Sequence, residues 1–292
     1  MSNTAQNLFQ FDTSTLVFAL PEIFLLFSIV VILLIDVFLK KSFKNITYYL
    51  SQIAIFITAL LSYSLIGNGE QIIFSGSFIH DDLAAIFKVA MMVASIVVLV
   101  YSRTYLNIHN LFKGEYFVLV LLAILGMMVM VSGYSLLTLY LGLEILSLSL
   151  YTLIAIARLR ANAVEAGLKY FVLGAIASGL LLYGMSMIYG INGSLNISEI
   201  AQFASGASLQ SSQQLILNFG LVFVVIGVAF KLGAVPFHNW VPDVYQGSPT
   251  SVTMFLSSVP KIAAVAMLIR LLIEGLGPLQ DYWADLFIAL AI

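Results

Sequence analysis

Five side chains in this sequence are placed to move a proton: Glu144, Lys169, Lys231, Lys261 and His238. All lie within or beside long apolar runs, where inserting an ionisable group costs roughly 2.5–3.5 kcal/mol and so marks a functional candidate. Glu144 falls near the middle of SLLTLYLGLEILSLSLYTLIAIARL. Tyr140, Glu144, Ser147 and Tyr151 follow the i, i+4, i+7, i+11 spacing of one helical face. That stripe reads as a proton path or as a hydrogen-bonded helix seam, and a carboxylate is a poorer seam residue than Asn or Ser. Lys231 closes the run LILNFGLVFVVIGVAFK, and Lys261 sits near the centre of PTSVTMFLSSVPKIAAVAMLIRLLI. Thr250, Thr253, Ser257 and Lys261 share a face, and Pro260 removes one backbone hydrogen bond beside the lysine. An ammonium group stripped of water holds its proton less tightly, and a nearby carboxylate opposes that change. A relay needs such tunable pairing. Lys169 follows Glu165 by four residues, which suits a surface ion pair. Small residues at Gly174/Ser178 and Ala175/Gly179 also allow close packing that would hold Lys169 in range of Glu144. His238 can carry a proton near neutral pH, or serve as a hydrogen-bonded packing residue.

The elements that must position these groups follow from composition. The chain has 292 residues, 61% hydrophobic and only 9% charged, with a mean hydropathy of +1.06. Its apolar runs are near the twenty residues needed to cross about 30 Å of hydrocarbon. The pattern predicts an all-α polytopic membrane protein, one transmembrane domain over 1–292. Spans are expected at 15–39, 47–66, 82–102, 116–132, 134–157, 164–190, 213–231 and 249–273, with a ninth beginning near 282. The last run, DLFIALAI, reads as unfinished, as if the chain were part of a longer one. In VAFKLGAVPFHNWVPDVYQGSPT, Gly233 and Pro236 should break the seventh helix just after Lys231, and Pro242, Gly247 and Pro249 keep the next piece short. Unwound backbone at membrane depth survives only when buried in protein or facing a water-filled cavity.

Positive charges set the expected orientation. Lys40, Lys41 and Lys44, then Arg103 and Lys113, then Arg158 and Arg160 follow the odd spans, which puts those loops in the cytoplasm and the N-terminus outside. Glu22 and Asp36 are expected at the interface, Lys88 to snorkel at the outer edge of span three, and Arg270 to pair with Glu274. The Ser-rich stretch 191–212 reads as a solvated loop, with an amphipathic surface piece at 196–204 as the other reading. Zero cysteines exclude disulfides and thiolate or iron–sulfur ligation, and three histidines on separate faces argue against a histidine metal site. No basic patch points to nucleic acid. No Rossmann or flavin motif is present, so no cofactor is expected on this chain.

FKLGAVPFHNWVPDVYQGSPTSVTMFLSSVPKIAA, with EAGLKYFVLGAIASGLLLYGMSMIYG and LGLEILSLSLYTL, closely resembles the signature of the antiporter-like subunits of respiratory complex I, most specifically over Ser135–Ala264. The resemblance implies a roughly fourteen-helix antiporter-like fold with two inverted five-helix repeats, the first over about 116–273 and the second only begun here. It implies that Glu144, Lys169, Lys231 and Lys261 lie on a charged axis for proton pumping, with His238 just after the helix break. NADH, FMN, iron–sulfur clusters and quinone would belong to other subunits, and the partners would be neighbouring membrane subunits in a bacterial inner membrane. Two other readings stay open: a subunit of a multisubunit sodium/proton antiporter or membrane-bound hydrogenase, and a non-conducting scaffold.

Overall fold

The computed structural model describes residues 13–38, 45–206 and 210–291. After a 3-10 segment, Thr13–Ala19, come α1 (Leu20–Phe38), α2 (Asn45–Ser64), a hairpin of β1 (Gln71–Ile73) and β2 (Phe78–His80), α3 (Asp82–Ile108), α4 (Gly114–Val131), α5 (Leu136–Ile154) and α6 (Ala161–Asn192). Then follow α7 (Ile197–Ala204), α8 (Ser211–Leu232), α9 (Trp240–Gly247), α10 (Thr250–Leu268, its last turns widening into a π-helix over Ile269–Gly275) and α11 (Gln280–Ala291). Eight segments among the described residues are long and apolar enough to cross a membrane, and their bounds match the expected spans to within several residues. The start of the expected ninth is α11. Lys40, Lys41 and Lys44 lie outside the described residues.

Local chemistry sets the helix ends. Asp81 caps α3 by accepting the amide of Ala84 at 2.8 Å, and Ser135 caps α5 by accepting that of Thr138 at 3.2 Å. Both satisfy an amide that the first helical turn leaves without an intrahelical partner. α8 ends on Gly233, whose φ of 75° lies in the left-handed region that a side chain disfavours. α4 is buried on nearly every side and forms the centre. It meets α5 through a reciprocal glycine contact. A Cβ on Gly142 would stand 2.6 Å from the amide of Met130 and 2.8 Å from the carbonyl of Gly126, and one on Gly126 would stand 2.6 Å from the amide of Leu146. α6 and α8 approach the same way at Gly184 and Gly220. Small residues are what allow helix backbones to come this close in a membrane. The sequence pairs chosen for that task fare differently: Gly174 packs on Tyr151, while Ala175 and Gly179 face outward.

Several expectations are corrected at the face that carries the hairpin. Lys88 does not snorkel. It is buried and ion-paired at 2.6 Å with Glu22, itself buried rather than interfacial, and lies 5.2 Å from the Phe78 ring centre. Two charged groups with opposite signs on α1 and α3 find each other more cheaply than either reaches water. At the other end of α1, Asp36 accepts a hydrogen bond from Thr47 at 2.7 Å. The stretch expected to be a solvated loop holds α7, whose Ile197, Ile200 and Ala204 are buried against the π-helical end of α10 and the turn after it. The hairpin itself had no sequence forecast. It bonds to the α4–α5 loop through the Ile79 amide to the Ser132 carbonyl at 2.9 Å.

Arg270 pairs with Glu274 at 2.6 Å as expected, and also with Asp81 at 2.6 Å. Burial pushes the Asp81 carboxyl up, but the Arg270 guanidinium and the Ala84 amide outweigh it and hold the group below its ordinary range. Burial pushes the neighbouring His80 imidazole below its ordinary value, against the Leu65 carbonyl that holds Nε2 at 3.1 Å.

Candidate functional site

Lys231 is the last residue but one of α8, so its position is set by where that helix stops. Beyond Gly233 the chain turns through residues 234–239, with a cis peptide before Pro236, and restarts as α9. The break leaves the last carbonyls of α8 without the partners that a continuing helix would supply. Lys261, from α10, takes two of them: its ammonium donates to the carbonyls of Lys231 at 3.0 Å and Leu232 at 2.7 Å. Trp240 reinforces a third, its indole donating at 3.0 Å to the Phe230 carbonyl, which also accepts the Gly233 amide at 3.0 Å. A lysine and a tryptophan thus replace the missing turn of helix.

The Lys231 ammonium points the other way, into α5, and donates to Ser147 Oγ at 2.8 Å. Ser147 in turn donates to the Leu143 carbonyl at 2.7 Å, so its hydroxyl hydrogen is committed and its lone pair faces the lysine. Ser147 is on the Tyr140–Glu144–Ser147–Tyr151 face, three residues after Glu144. Glu144 is half-buried, and its Oε1 has no hydrogen-bond partner among the described residues. Ser147, Lys231, Lys261, Tyr170, Trp240 and Met267 line a mostly apolar cavity of about 30 Å³. That volume exceeds the 10–15 Å³ or so needed to hold one water, and the site supplies the polar partners a water requires.

Aromatic rings connect the parts. Tyr151 packs edge-on against Tyr170 at 5.0 Å, Tyr170 against Trp240 at 4.7 Å, and the Lys261 ammonium lies 5.4 Å from the Trp240 ring centre. Sequence reasoning did not single out Trp240, although it stands within the quoted signature.

Of the five candidates, Lys231 and Lys261 come together in one cavity, while Glu144 stands one turn from the Ser147 that engages Lys231 and does not itself line that cavity. Lys169 does not join them by direct contact: no hydrogen bond or ion pair links it to Glu144 among the described residues. Its ammonium is held by Asp243 at 2.8 Å and Glu165 at 2.9 Å, in an open, polar cleft of about 210 Å³ beside α9. The i,i+4 pairing was foreseen from spacing. Asp243, 74 residues away in the chain, joins it because α9 folds back onto α6. His238 lies in the turn between α8 and α9, half-buried, its Nδ1 without a partner among the described residues.

Comparison with known proteins bears on this arrangement. Residues 133–292 match the family described as NADH:quinone oxidoreductase/Mrp antiporter, TM, and residues 3–103 match NAD(P)H-quinone oxidoreductase subunit 2 N-terminal. NADH-quinone oxidoreductase subunit N of Ruthia magnifica subsp. Calyptogena magnifica is 70% identical over 98% of this chain and 59% of its own length. The subunit N of Thioalkalivibrio sulfidiphilus is 51% identical over 94% and 56%. Among solved structures, a chain of respiratory complex I from Thermus thermophilus with bound aureothin superposes with a TM-score of 0.72 at 30% identity, covering 86% of this chain and 52% of that one. A chain of an archaeal membrane-bound sulfane sulfur reductase gives 0.74 at 27% identity, over 95% and 56%. This chain therefore spans a little over half the length of the relatives it matches.

Proposed function

The chain belongs to the NADH:quinone oxidoreductase/Mrp antiporter family of membrane subunits, and from that premise we propose that it is a proton-translocating membrane subunit of an NADH–quinone oxidoreductase. The observation that carries the reading is the double engagement of the broken helix: Lys231 on Ser147 at one side, Lys261 on the freed carbonyls at the other. Each lysine holds its proton through bonds to groups that move whenever α8 moves against α5 or α10. A shift that takes Lys231 from Ser147, or brings it toward Glu144, changes how tightly that proton is held. Once Lys261 has released its own proton and stands as a neutral amine, water in the cavity between them accepts a proton from the Lys231 ammonium and delivers one to Lys261, leaving Lys231 neutral.

Glu144 sets the balance by its negative charge, and Lys261 receives from Lys231. His238 serves as a weaker carrier at the break. Lys169 with Asp243 belongs to the face on which protons are taken up. In this reading the N-terminus and the hairpin face outward from a bacterial inner membrane. The chain binds no cofactor: NADH, FMN, iron–sulfur clusters and quinone work in partner subunits, and the remaining membrane subunits adjoin this one in the bilayer.

Lys231→Ala and Glu144→Ala in the full-length subunit test the proposal. In proteoliposomes carrying the assembled complex, each should retain NADH–quinone electron transfer in some measure while protons moved per electron fall severalfold. Normal assembly with undiminished pumping would point instead to a scaffold. Pumping that follows sodium and collapses when potassium replaces it would point to sodium transport.

A further inference from the structure

Among the residues lining the relay cavity, Met130 and Met267 lie at the ends of α4 and α10 that lead toward the hairpin face. Directly beyond them stands Arg270, one helical turn past Met267, with only 1% of its side chain exposed. Its Nε donates to the carbonyl of Val131, the residue after Met130, at 3.3 Å. Its two terminal nitrogens are engaged at 2.6 Å each by Asp81 and Glu274, which stand on the solvent side with 21% and 27% of their side chains exposed. The order from the cavity outward is therefore methionine, guanidinium, carboxylates, water.

We propose that Arg270 is a proton-tight plug, a positioning residue that keeps protons on Lys231 and Lys261 from escaping toward the hairpin face. A guanidinium suits this task for two chemical reasons. It carries N–H donors and no acceptor, so a hydrogen-bonded chain of waters cannot pass a proton through it. It also stays protonated at any accessible pH, so it cannot act as a carrier in the way a lysine or histidine does. The carboxylates and the Val131 carbonyl fix it in place, with Glu274 four residues on and therefore on the same side of the helix. The inference rests on the proposed proton relay, since a plug needs something to hold back.

The test is passive proton leak, read with a pH-sensitive dye in proteoliposomes of the full-length assembled complex under an imposed pH gradient and without NADH. Arg270→Gln should raise the leak severalfold while potassium permeability stays at the parent level. Adding Lys231→Ala to that variant should bring the leak back down, because the path runs through the relay. Arg270→Lys, which keeps the charge but can exchange protons, should leak less than Arg270→Gln and more than the parent. A parent-like leak in Arg270→Gln overturns the plug. Should that variant fail to assemble, the triple variant Asp81→Asn, Arg270→Gln, Glu274→Gln leaves no carboxylate unpaired and decides the matter. A plug predicts that it leaks, and a purely structural tie predicts that it is tight. If Lys231→Ala leaves pumping intact, the relay reading itself fails. If Lys231→Ala abolishes pumping and Arg270→Gln is tight, only the plug fails.

Discussion

Gly142→Ala should loosen the contact that seats α5 against α4, and with it the placement of Ser147 opposite the broken helix. A Cβ there would meet the Met130 amide at 2.6 Å and the Gly126 carbonyl at 2.8 Å, where ordinary contacts begin at 3.4 Å. The shortfall is 0.6–0.8 Å (3.4 less 2.8 and 3.4 less 2.6), and the obstructing atoms are backbone, so the helices themselves must separate. Overpacking of this kind costs about 1–3 kcal/mol, against a gain of up to about 1 kcal/mol in helix propensity, so strain wins. Ser147 is on the same helix, five residues on. A displacement of that size takes its 2.8 Å bond with Lys231 to the edge of hydrogen-bonding range. Thermal unfolding of the purified protein should fall by several degrees, and protons pumped per electron should fall with it. Gly179→Ala is the control, for nothing lies within 4 Å of the added methyl. Equal melting temperature and equal pumping in Gly142→Ala would refute the claim that this glycine contact positions the site.

Lys88→Met removes one member of a buried ion pair and leaves Glu22 uncompensated, so it should cost about 3–5 kcal/mol. The double variant Lys88→Met with Glu22→Gln should recover most of that, as read from melting temperatures of the two. Asp81 titrates below its ordinary value of 3.8 in the folded chain. The stability it contributes is therefore fully present above that value and lost as pH falls through the depressed folded value. Asp81→Asn should flatten the acid limb of a melting-temperature profile, and an unchanged limb would refute the assignment.

The eight spans were legible because hydropathy over twenty residues is a strong signal in a medium that cannot solvate backbone. The break after Lys231 was legible for a related reason. Glycine and proline leave local marks, and Gly233 with φ of 75° bears them out. Lys88 and Glu22 show where sequence falls short. Both were assigned to water by their distance from the span ends, but their partnership joins helices that are far apart in the chain. Asp243 is the same lesson, since its lysine lies 74 residues away. The Tyr140–Tyr151 face could be drawn from periodicity alone, while the lysine that engages Ser147 could only be named, not paired. Helical period fixes a residue's azimuth, and tertiary packing decides what stands opposite.

The indole that splints the broken helix also supplies an optical reporter. The chain has two tryptophans, and Trp240 is almost wholly buried, sandwiched near Tyr170 and Phe230 and below the Lys261 charge. With Trp283 replaced by phenylalanine, the remaining emission would come from the severed joint itself. Its colour and lifetime would then report whether that joint opens, since loss of the Phe230 carbonyl or of the Tyr170 ring would change the indole's surroundings.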